Sequence, residues 1–425
     1  MQRPLTELIR PNHDPLTAKE YMALGGYEGA RVALTMDPAS VTKLVTDSGL
    51  RGRGGAGFST GFKMSAVPLS MPGPKFLVAN ADEMEPGTFK DRWLLEGAPH
   101  QLIEGMIIAS FAIQATKAIV FMRGEYVRAY KLMLQAIREA YAAGFLGENI
   151  FGTNYNLEFS LHKSSGRYIC GEETALINAL EGKRATPRAK PPYPQVSGLW
   201  GRPTLVQNVE TLSNLPHIIK HGAAWFKALG RGEDAGTKIY GVSGKVKRPG
   251  AWELPLGTPM RELIFEHAGG MKKGLSFKAA LPGGASTEFL LDDKLDLTLD
   301  YSTMSKAQTF MGTGTMIILD SQTCPVGMML NLERFFKQES CGFCTPCRDG
   351  LNWVSEILAA IERGEGHESD LEILFEHGKL LKPGSTFCPL APGASMPLLS
   401  GLRIFADEFA NHFAQKRCPY AHRHN

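Results

Sequence analysis

A group of four cysteines near the carboxyl terminus constrains this chain more than any other feature of its sequence. Cys341, Cys344 and Cys347 are separated from one another by two residues each, and Cys388 lies in a separate downstream segment. A short loop that wraps three corners of a cubane cluster, with a fourth thiolate from elsewhere in the fold, is a typical ligand set for a 4Fe-4S centre. The spacing therefore predicts a 4Fe-4S cluster bound by these four cysteines.

Zinc is the competing metal for such cysteines, and a set of buried, unreactive thiols is the structural alternative. Zinc sites usually pair two short Cys-x-x-Cys segments, and the second such segment is missing here. Arg348 and the helical pattern after it place the three-cysteine loop at a helix N-terminus, where the helix dipole favours anionic sulfur. We therefore expect an electron-transfer protein, and the rest of the chain should contain the group that supplies the electrons.

Composition excludes several other classes of protein. The chain has 425 residues, 43% hydrophobic and 21% charged, which is ordinary for two or three globular domains. A net charge of +3 is too small to indicate a nucleic-acid partner. The first residues lack the apolar segment of a secretory leader, and Glu104, Gln114 and Lys117 interrupt the most apolar window, so no membrane span is expected. Seven cysteines do not resemble a disulfide framework, and we expect the reducing cytosol.

A glycine-rich segment covers residues 49–63 and reads GLRGRGGAGFSTGFK. Glycines allow backbone N–H groups to approach a ligand closely, and Arg51, Arg53 and Lys63 add positive charge. The segment predicts a loop that binds phosphate or a nucleotide. It matches neither the P-loop pattern nor a clean Rossmann fingerprint, and a flexible glycine turn is the alternative.

Strand-like and helical patterns alternate after this loop. Apolar runs at 76–80, 118–122 and 157–161 are separated by helical patterns at about 99–115 and 125–143. This alternation predicts parallel strands with crossover helices, an α/β layer fold. In such folds, ligands bind beyond the carboxyl ends of the strands.

Acidic, turn-rich segments follow the first and third of these strands, at the expected ligand edge. Their candidate residues are Asn80, Asp82, Glu83, Glu85, Tyr168, Gly171, Glu172 and Glu173. Amide and carboxylate groups suit the hydroxyls of a ribityl or ribose chain. The alternative is a pair of helix N-caps with acidic first turns.

Two later segments carry further candidates. Tyr193 follows a stiff Lys-Pro-Pro sequence, which favours a fixed aromatic platform, although a core or surface aromatic is the alternative. Asn208 and Thr211 are three residues apart near the start of a predicted helix that runs to about His221. They share one face of that helix, where phosphate can bind.

The rest of the chain divides into two smaller units. Turn residues at 230–236 indicate a linker, after which a hairpin, a helix and further strands predict a small α+β domain. From residue 325 the pattern predicts four helices, with the cysteine loop between the first two and the last helix at about 397–412. The expected domains are therefore 1–235, 236–324 and 325–425. Cys418, His422 and His424 in the basic tail form a second, weaker candidate metal group.

Seven strings occur in a fixed order along the chain: GLRGRGGAGFSTGFK, NADEMEPGTFKDR, RYICGEETALINALEGKR, PPYPQVSGLWGRPT, NVETL, ESCGFCTPCRDG and TFCPLAPGA. Together they closely resemble the NADH-binding flavoprotein subunits of bacterial respiratory complex I, the NADH:quinone oxidoreductase. The resemblance covers nearly the whole chain, and the tail is its weakest part.

This resemblance implies a modified Rossmann-like domain for FMN and NADH, a ubiquitin-like β-grasp domain of the SLBB type, and a four-helix bundle carrying a 4Fe-4S cluster. In the family, NADH passes a hydride to FMN, and single electrons then leave through the cluster toward quinone. The implied cofactors are FMN and the 4Fe-4S cluster, with NADH as the substrate. Flavin suits this position because it exchanges two electrons with NADH and one with a cluster.

The resemblance also implies roles for individual residues. Phe58 and Tyr193 would sandwich the adenine of NADH, Glu173 would lie near its ribose, and Glu85 would position NADH for hydride transfer. A carboxylate at Glu173 would repel a 2′-phosphate and so favour NADH over NADPH. The positions that match the family's cofactor-binding residues are Gly54, Gly55, Gly57, Phe58, Lys63, Asn80, Asp82, Glu83, Glu85, Tyr168, Gly171, Glu172, Glu173, Tyr193, Val206, Gln207, Asn208 and Thr211.

Three positions depart from the family pattern. Gln207 stands where the family usually has Asn, Ala66 where some members carry an aromatic residue, and Phe343 where Trp is frequent. The implied partners are a thioredoxin-like 2Fe-2S subunit and the large iron–sulfur subunit of complex I. The implied location is peripheral, on the cytoplasmic face of the inner membrane.

Two other functions are compatible with parts of this pattern. The same module serves as the diaphorase subunit of soluble NAD-linked formate dehydrogenases or hydrogenases, but those relatives often carry extra cysteine-rich segments. A scaffold that keeps the fold without binding flavin is the non-enzymatic alternative. The presence of Gly54, Lys63, Asp82, Glu85 and Glu172 argues against the scaffold.

Overall fold

The structure is a computed structural model and describes residues 2–420, so His422 and His424 lie outside the described residues. Its first sheet is parallel, with strand order β3-β2-β1-β4. The strands are β1 (Phe76–Ala81), β2 (Lys117–Met122), β3 (Glu158–Lys163) and β4 (Thr204–Asn208). The chain moves outward from β1 through β2 to β3 and then returns to the other side of β1. The strand order therefore reverses between β1 and β4, where parallel α/β folds bind ligands.

The expected α/β fold is confirmed, and one local expectation is wrong. The sequence suggested a turn entering a helix at residues 201–212, but Thr204–Asn208 forms β4. This short segment pairs with β1 along its whole length, and Leu205 and Val206 are buried on opposite faces. Tertiary pairing therefore decides its structure more than its turn-rich flanks do. The helix that follows is interrupted at Asn214.

Helices cover both faces of this sheet. The twelve helices of this region are α1 (Ala18–Ala23), α2 (Glu28–Thr35), α3 (Pro38–Asp47), α4 (Thr60–Ser65), α5 (Lys90–Gly97), α6 (Pro99–Ile113), α7 (Val127–Ala142), α8 (Glu173–Leu180), α9 (Pro194–Ser197), α10 (Val209–Ser213), α11 (Leu215–His221) and α12 (Ala223–Ala228). Asp37 caps α3, accepting hydrogen bonds from the N–H groups of Ala39 and Ser40. Within residues 2–420, no helix is long and apolar enough to cross a membrane.

The two faces of the sheet belong to different hydrophobic cores. Leu77 and Ala79 of β1 pack into the core that contains α6 and α7. Phe76 and Val78 point to the other side and join the core of the carboxyl-terminal helices. Side chains alternate along a strand, so a single strand connects the two cores. The first sheet and the cysteine-bearing helices are consequently packed on each other.

A second, mixed sheet follows, with strand order β6-β5-β10-β8. Its strands are β5 (Thr237–Gly244), β6 (Gly250–Pro255), β8 (Phe277–Leu281) and β10 (Thr315–Asp320), and a separate small ladder pairs β7 (Thr258–Pro259) with β9 (Thr298–Leu299). The predicted helix near 259–267 is present as a π-helical segment, Glu262–His267. A short helix that the sequence did not reveal, α13 (Tyr301–Lys306), reaches the glycine-rich loop.

The carboxyl-terminal region is helical, as expected. Its helices are α14 (Pro325–Glu339), α15 (Thr345–Arg348), α16 (Gly350–Arg363), α17 (Asp370–Leu380), α18 (Leu390–Ile404) and α19 (Ala406–Gln415). The single helix expected at about 397–412 is wrong, because the chain breaks at Phe405. At the break, the buried Phe405 ring packs edge-on against Phe289, with ring centroids 5.2 Å apart.

Buried charges join the first sheet to the second. The Glu210 carboxylate accepts from Lys238 Nζ at 2.6 Å and lies 2.9 Å from Lys90 Nζ, and Asp91 pairs with Lys90 at 2.7 Å. Burial lowers the pKa of Lys238 to about 7, whereas Lys238 and Lys90 outweigh burial at Glu210 and lower its pKa. Removing one member of this group would leave a buried charge without its partner, which is strongly unfavourable. The intact group therefore fixes the relative placement of the two sheets.

A second buried carboxylate fastens the amino-terminal helices to the α/β core. Glu104 on α6 accepts hydrogen bonds from Tyr21 Oη at 2.6 Å, Tyr27 N at 2.8 Å and Ala30 N at 3.1 Å. Glu104 is only 1% exposed, so water cannot replace it as the acceptor for these groups. This one side chain therefore satisfies donors from two helices and the turn between them.

We expect Glu104→Ala to lower the free energy of unfolding by about 3 kcal/mol or more, because each orphaned buried donor costs about 1–3 kcal/mol. Tyr21→Phe, which removes only one donor, should cost about 1 kcal/mol. Urea denaturation followed by circular dichroism measures both, and Glu148→Ala at an exposed position is the control. Equal midpoints for Glu104→Ala and Glu148→Ala would contradict this anchoring role.

Candidate functional site

The glycine-rich loop lies at the strand reversal between β1 and β4. A Cβ added to Gly54 would come within 3.2 Å of Asn208 Cβ, and one added to Gly57 would overlap the Tyr301 ring at 2.3 Å. Gly55 and Gly57 also have positive φ angles of 130° and 64°. Larger residues at these positions would be strained or would clash. The backbone is thus held against the end of β4, as a ligand-binding loop requires.

Arg51 and Arg53 have structural roles, contrary to the expectation that they add charge to a phosphate site. Arg53 is fully buried and donates to the carbonyl oxygens of Ala235 at 2.9 Å and Thr237 at 3.1 Å. Arg51 pairs with Asp234 at 3.1 Å and donates to the Gly57 carbonyl at 2.7 Å. Both guanidinium groups therefore secure the loop to the start of the second sheet.

Lys63 is the loop cation that faces the site. Its Nζ lies 2.5 Å from Glu173 and donates to the Val206 carbonyl at 2.8 Å. Glu173 also pairs with Lys190 at 3.2 Å, and Lys190 pairs with Glu172 at 2.9 Å. Burial favours protonation of Glu173, but Lys63 and Lys190 outweigh it and lower the pKa of this carboxyl. The group holds two carboxylates beside two lysines, and Lys190 was not identified as a site residue from the sequence.

Two buried polar atoms at the strand ends have no hydrogen-bond partner among the described residues. They are Asp82 Oδ1, just after β1, and Gln207 Nε2, in β4. Asp82 Oδ2 accepts from Ser164 at 2.8 Å, and burial raises the pKa of Asp82 to about 6. Unpaired buried polar atoms are costly in a folded protein, so one such atom after β1 and one in β4 fit contacts with a polar ligand such as the ribityl chain and phosphate of FMN.

Other predicted contacts are engaged in local structure. Asn208 caps α10 and donates to Asp91 at 2.7 Å, and Thr211 Oγ1 accepts from Arg53 N at 2.8 Å. Glu83 accepts from the N–H groups of Asp91 at 2.9 Å and Arg92 at 3.1 Å, at the start of α5. Glu83 thus acts as the helix cap that was the alternative for this segment. Its role as a cofactor contact stays a prediction.

Of two further predicted positions, Asn80 lies in the first sheet and Gly171 borders open space. Asn80 Nδ2 donates to the Cys170 carbonyl at 3.1 Å, which links the ends of the two acidic segments. A Cβ added to Gly171 would meet no atom within 4 Å, so the space beside Gly171 is open. Glu172 caps α8 through the N–H groups of Thr174 and Ala175, both at 2.9 Å. The open space beside Gly171 lies next to these capped strand and helix ends.

Glu85 and Tyr168 form a hydrogen-bonded pair that reaches the second sheet. Tyr168 Oη donates to Glu85, and Ser286 N donates to the same carboxylate at 2.7 Å. Ser286 Oγ lies 2.9 Å from Tyr168 Oη. Burial raises the pKa of Glu85 even though Tyr168 and Ser286 stabilise its anion. Ser286 was not identified from the sequence, because it lies far along the chain from the other members.

The predicted adenine-binding aromatics lie at the surface. Phe58 is 55% exposed and Tyr193 is 56% exposed. The Phe58 ring contacts Phe62 edge-on, with centroids 5.7 Å apart. Exposed aromatic faces beside a charged cleft suit a stacked base, because stacking needs accessible ring surface. Phe58 and the exposed Phe62 precede Lys63, and Tyr193 follows Lys190, so these rings are near the charged group along the chain.

The four predicted cysteine ligands line one small cavity. Cys341, Cys344, Cys347 and Cys388 surround it together with Ile169, Ser340, Thr386, Leu390 and Ala391. Cys347 Sγ donates to Ser340 Oγ at 3.2 Å, and Phe387 N donates to Cys344 Sγ at 3.3 Å. Burial raises the pKa of Cys347 to about 11 and of Cys388 to about 12. Four convergent sulfurs in an apolar pocket fit a 4Fe-4S cluster, whose irons would stabilise the thiolates.

The cluster cavity is tied directly to the nucleotide-binding edge. Glu339, just before the cysteine loop, accepts from Tyr168 N at 3.0 Å and pairs with Arg167 at 3.3 Å. Arg184 donates to the Cys341 carbonyl at 3.0 Å. Ile169 lines the cysteine cavity itself. The segment at 167–171 therefore contacts both candidate cofactor sites.

Family models match three parts of the chain. The Nuo51 FMN-binding domain matches residues 45–217, the SLBB domain matches residues 239–289, and the NADH-ubiquinone oxidoreductase-F iron-sulfur binding region matches residues 327–412. These matches confirm the two expected cofactors, FMN and a 4Fe-4S cluster, and the β-grasp-like second region.

Curated relatives match along nearly the whole chain. The F subunit of NADH-quinone oxidoreductase from Escherichia coli K12 is 52% identical over 408 residues, which is 96% of this chain and 92% of that protein. The Salmonella typhimurium protein of the same name gives the same identity and coverage. The Mycobacterium tuberculosis protein is 44% identical over 427 residues, covering 98% and 96% of the two chains.

Solved structures of an NAD+-reducing [NiFe]-hydrogenase share the fold. The air-oxidised form has a TM-score of 0.80 and 36% identity over 88% of this chain, and the H2-reduced form has a TM-score of 0.81 and 35% identity over 93%. This chain spans only 63% and 65% of those hydrogenase chains. The near full-length relatives confirm the expected NADH-oxidising, FMN- and 4Fe-4S-containing oxidoreductase of complex I. The chain belongs to the family formed by the F subunits of NADH-quinone oxidoreductase.

Proposed function

We propose that FMN binds where the strand order reverses between β1 and β4, beneath the glycine-rich loop, and that NADH enters over it from the Phe58 side. The observation that carries this proposal is the pair of unpartnered buried atoms, Asp82 Oδ1 and Gln207 Nε2, at the strand ends. Gly54 and Gly55 would leave room for the flavin, and Asn80 and Asp82 would receive its hydroxyls. Lys63 would balance the anionic groups of the two nucleotides.

Gln207 retains the amide chemistry of the Asn that is usual in the family. Its Nε2 donor is buried and has no partner among the described residues, so the longer side chain still offers a hydrogen-bond donor at this edge. Val206, Asn208 and Thr211 shape the same edge through β4 and the start of α10. The longer side chain at 207 would therefore preserve a flavin contact rather than remove one.

Phe58 and Tyr193 would hold the adenine of NADH between their exposed rings. Glu173 would face the adenosine ribose, where its ionised carboxylate accepts hydrogen bonds from the two hydroxyls and repels a 2′-phosphate. Lys63 and Lys190 keep this carboxylate ionised. These roles place substrate discrimination at the mouth of the site, away from the reacting atoms.

Glu85 would position the nicotinamide end of NADH. Its carboxylate is fixed by Tyr168 Oη and by Ser286 N, so it cannot rotate freely. FMN bound here would supply the chemistry that accepts two electrons as a hydride and releases them singly. The protein's contribution is orientation, because it holds the carboxylate and the glycine loop rigidly around the reacting groups.

Electrons would leave through the cysteine cavity, which Tyr168 and Ile169 connect to the flavin edge. Phe343 and Phe387 are next to the ligand cysteines along the chain, are 55% and 44% exposed, and have ring centroids 5.0 Å apart. An exposed aromatic pair beside a redox centre suits a docking surface. We infer that the thioredoxin-like 2Fe-2S subunit and the large iron–sulfur subunit of complex I are the partners, on the cytoplasmic face of the membrane.

A diaphorase role in a soluble NAD-linked hydrogenase or formate dehydrogenase is the second candidate. The high structural similarity to the NAD+-reducing hydrogenase favours it. The chain contains one four-cysteine set of the cluster type, and its relatives over nearly their full length are complex I subunits. The proteins that co-purify with the chain would distinguish the two roles.

We expect Glu173→Gln to raise the ratio of kcat/KM for NADPH to that for NADH by about tenfold or more. The loss of one negative charge leaves Lys63 and Lys190 to attract the 2′-phosphate, and about 1.4 kcal/mol corresponds to tenfold. Steady-state reduction of ferricyanide with each nucleotide measures the ratio.

Glu181→Gln is the matched control for this change. Glu181 also pairs with two cations, Lys183 at 2.7 Å and Arg188 at 2.8 Å, but has no predicted contact with the nucleotide. Its substitution should leave the NADPH to NADH ratio unchanged. An unchanged ratio in Glu173→Gln as well would remove Glu173 from the ribose role.

We expect Cys344→Ser to disturb the cluster while FMN remains bound and reducible by NADH. The cysteine cavity and the strand ends are separate sites, and serine is a poor replacement for a cluster thiolate. Iron content and electron paramagnetic resonance report on the cluster, and flavin absorbance reports on reduction by NADH. Cys170→Ala, which removes a buried thiol outside the cavity, should retain full iron content. Loss of flavin reduction in folded Cys344→Ser protein would contradict the two-site arrangement.

A further inference from the structure

A second group of metal-binding side chains lies within the helical region, away from the cluster cavity. Its members are Cys324, Glu362, His412 and Cys418. They come from four separate places, just before α14, near the end of α16, within α19 and after α19. Cys324 and Cys418 are 5% and 9% exposed, and His412 is fully buried. Two thiols, an imidazole and a carboxylate thus lie together in the protein interior, and they are donors that one metal ion can share.

The ligand atoms are close enough to bind one ion. All four lie within 4.8 Å of one another. Cys324 Sγ is 2.8 Å from Glu362 Oε1 and 3.4 Å from His412 Nε2. Glu362 Oε1 and His412 Nε2 are 3.1 Å apart. Bonds of about 2.0–2.3 Å in a tetrahedral zinc site would separate ligand atoms by about 3.3–3.8 Å. Shifts of less than about 1 Å in the Cys324–Glu362 and His412–Glu362 separations would bring these three atoms to tetrahedral spacing, and Cys418 Sγ lies within 4.8 Å of each of them.

The surroundings of these side chains support metal binding. His412 Nδ1 lies 2.7 Å from the Glu408 carbonyl oxygen, which leaves Nε2 directed at the other ligands. A backbone carbonyl on the outer ring nitrogen is the usual partner of a metal-bound histidine. Gly327 N donates to Cys324 Sγ at 3.3 Å, at the start of α14, where an anionic sulfur is favoured.

The donor set identifies the class of metal. Thiolate and imidazole ligands exclude magnesium and calcium, which prefer oxygen, and four protein ligands leave no open position for catalysis. We propose that Cys324, Glu362, His412 and Cys418 bind one zinc ion in a structural, tetrahedral site. Binding releases the proton from each thiol to solvent and involves no change of oxidation state. The ion joins the segment after α19 to α14, α16 and α19.

This site differs from the weak candidate seen in the sequence. Cys418 was grouped there with His422 and His424, because those residues are close along the chain. In the fold, Cys418 faces Cys324, Glu362 and His412 instead. Because the cluster cysteines line a different cavity, a zinc ion here would not compete with the 4Fe-4S cluster for ligands.

Metal analysis of the purified full-length chain, carrying FMN and its cluster and prepared without chelators, tests the proposal. Inductively coupled plasma mass spectrometry should find about one zinc for every four irons. Absorption fine structure at the zinc edge should show two sulfur neighbours at about 2.3 Å and two lighter neighbours at about 2.0–2.2 Å. Less than about one tenth of a zinc per chain in protein with full iron content would overturn the proposal, as would a disulfide between Cys324 and Cys418.

Variants separate this site from zinc bound elsewhere. Cys418→Ser and His412→Ala should each lower zinc content at least tenfold at unchanged iron content. The exposed His367→Ala is the matched control and should retain the zinc. Zinc retained at wild-type level in both site variants would overturn the assignment. If His412→Ala protein does not fold, Cys418→Ser near the end of the chain and the zinc-edge spectrum of the wild-type protein still decide the question.

Discussion

Tyr168 is the residue on which the arrangement of the two redox sites depends. Its hydroxyl donates to Glu85 after β1 and contacts Ser286 in the second sheet region, and its N–H donates to Glu339 beside the cysteine loop. Three parts of the chain are therefore fixed at one side chain. Burial raises the pKa of the phenol well above its ordinary range, so it remains a hydrogen-bond donor. Electron transfer between two bound groups needs a constant separation, and the contacts of Tyr168 keep that separation fixed.

Buried charged side chains also hold other parts of the chain in fixed positions relative to one another. The Glu210 group connects the first sheet to the second, Arg53 secures the glycine loop, and Glu104 fastens the amino-terminal helices. The carboxylates of Glu210 and Glu104 have partners inside the protein, and Arg53 uses Nη2 to hold the loop, so these groups contribute rigidity. Asp82 Oδ1 and Gln207 Nε2 lack such partners among residues 2–420. The partnered side chains therefore have structural roles, and the unpartnered atoms after β1 and in β4 are available to contact a ligand.

Local patterns predicted much of this arrangement, and long-range contacts account for the rest. The cluster cysteines were recognisable because three of them are close in sequence, and the strands of the first sheet because their apolar runs are continuous. β4 was missed because its five residues are defined by pairing with β1. Arg53 and Ser286 were misjudged or overlooked because their partners, Ala235 and Glu85, are distant in sequence. The grouping of Cys418 with Cys324 likewise exists only in three dimensions.

An anaerobic titration of the purified chain with NADH, followed through flavin absorbance, tests the central claim most directly. We expect NADH to bleach the bound flavin and NADPH at the same concentration to leave it oxidised, because Glu173 is ionised at the ribose position. Flavin that binds to the folded chain but stays oxidised with NADH would contradict the placement of the nicotinamide beside Glu85. Equal bleaching by both nucleotides would contradict the role of Glu173.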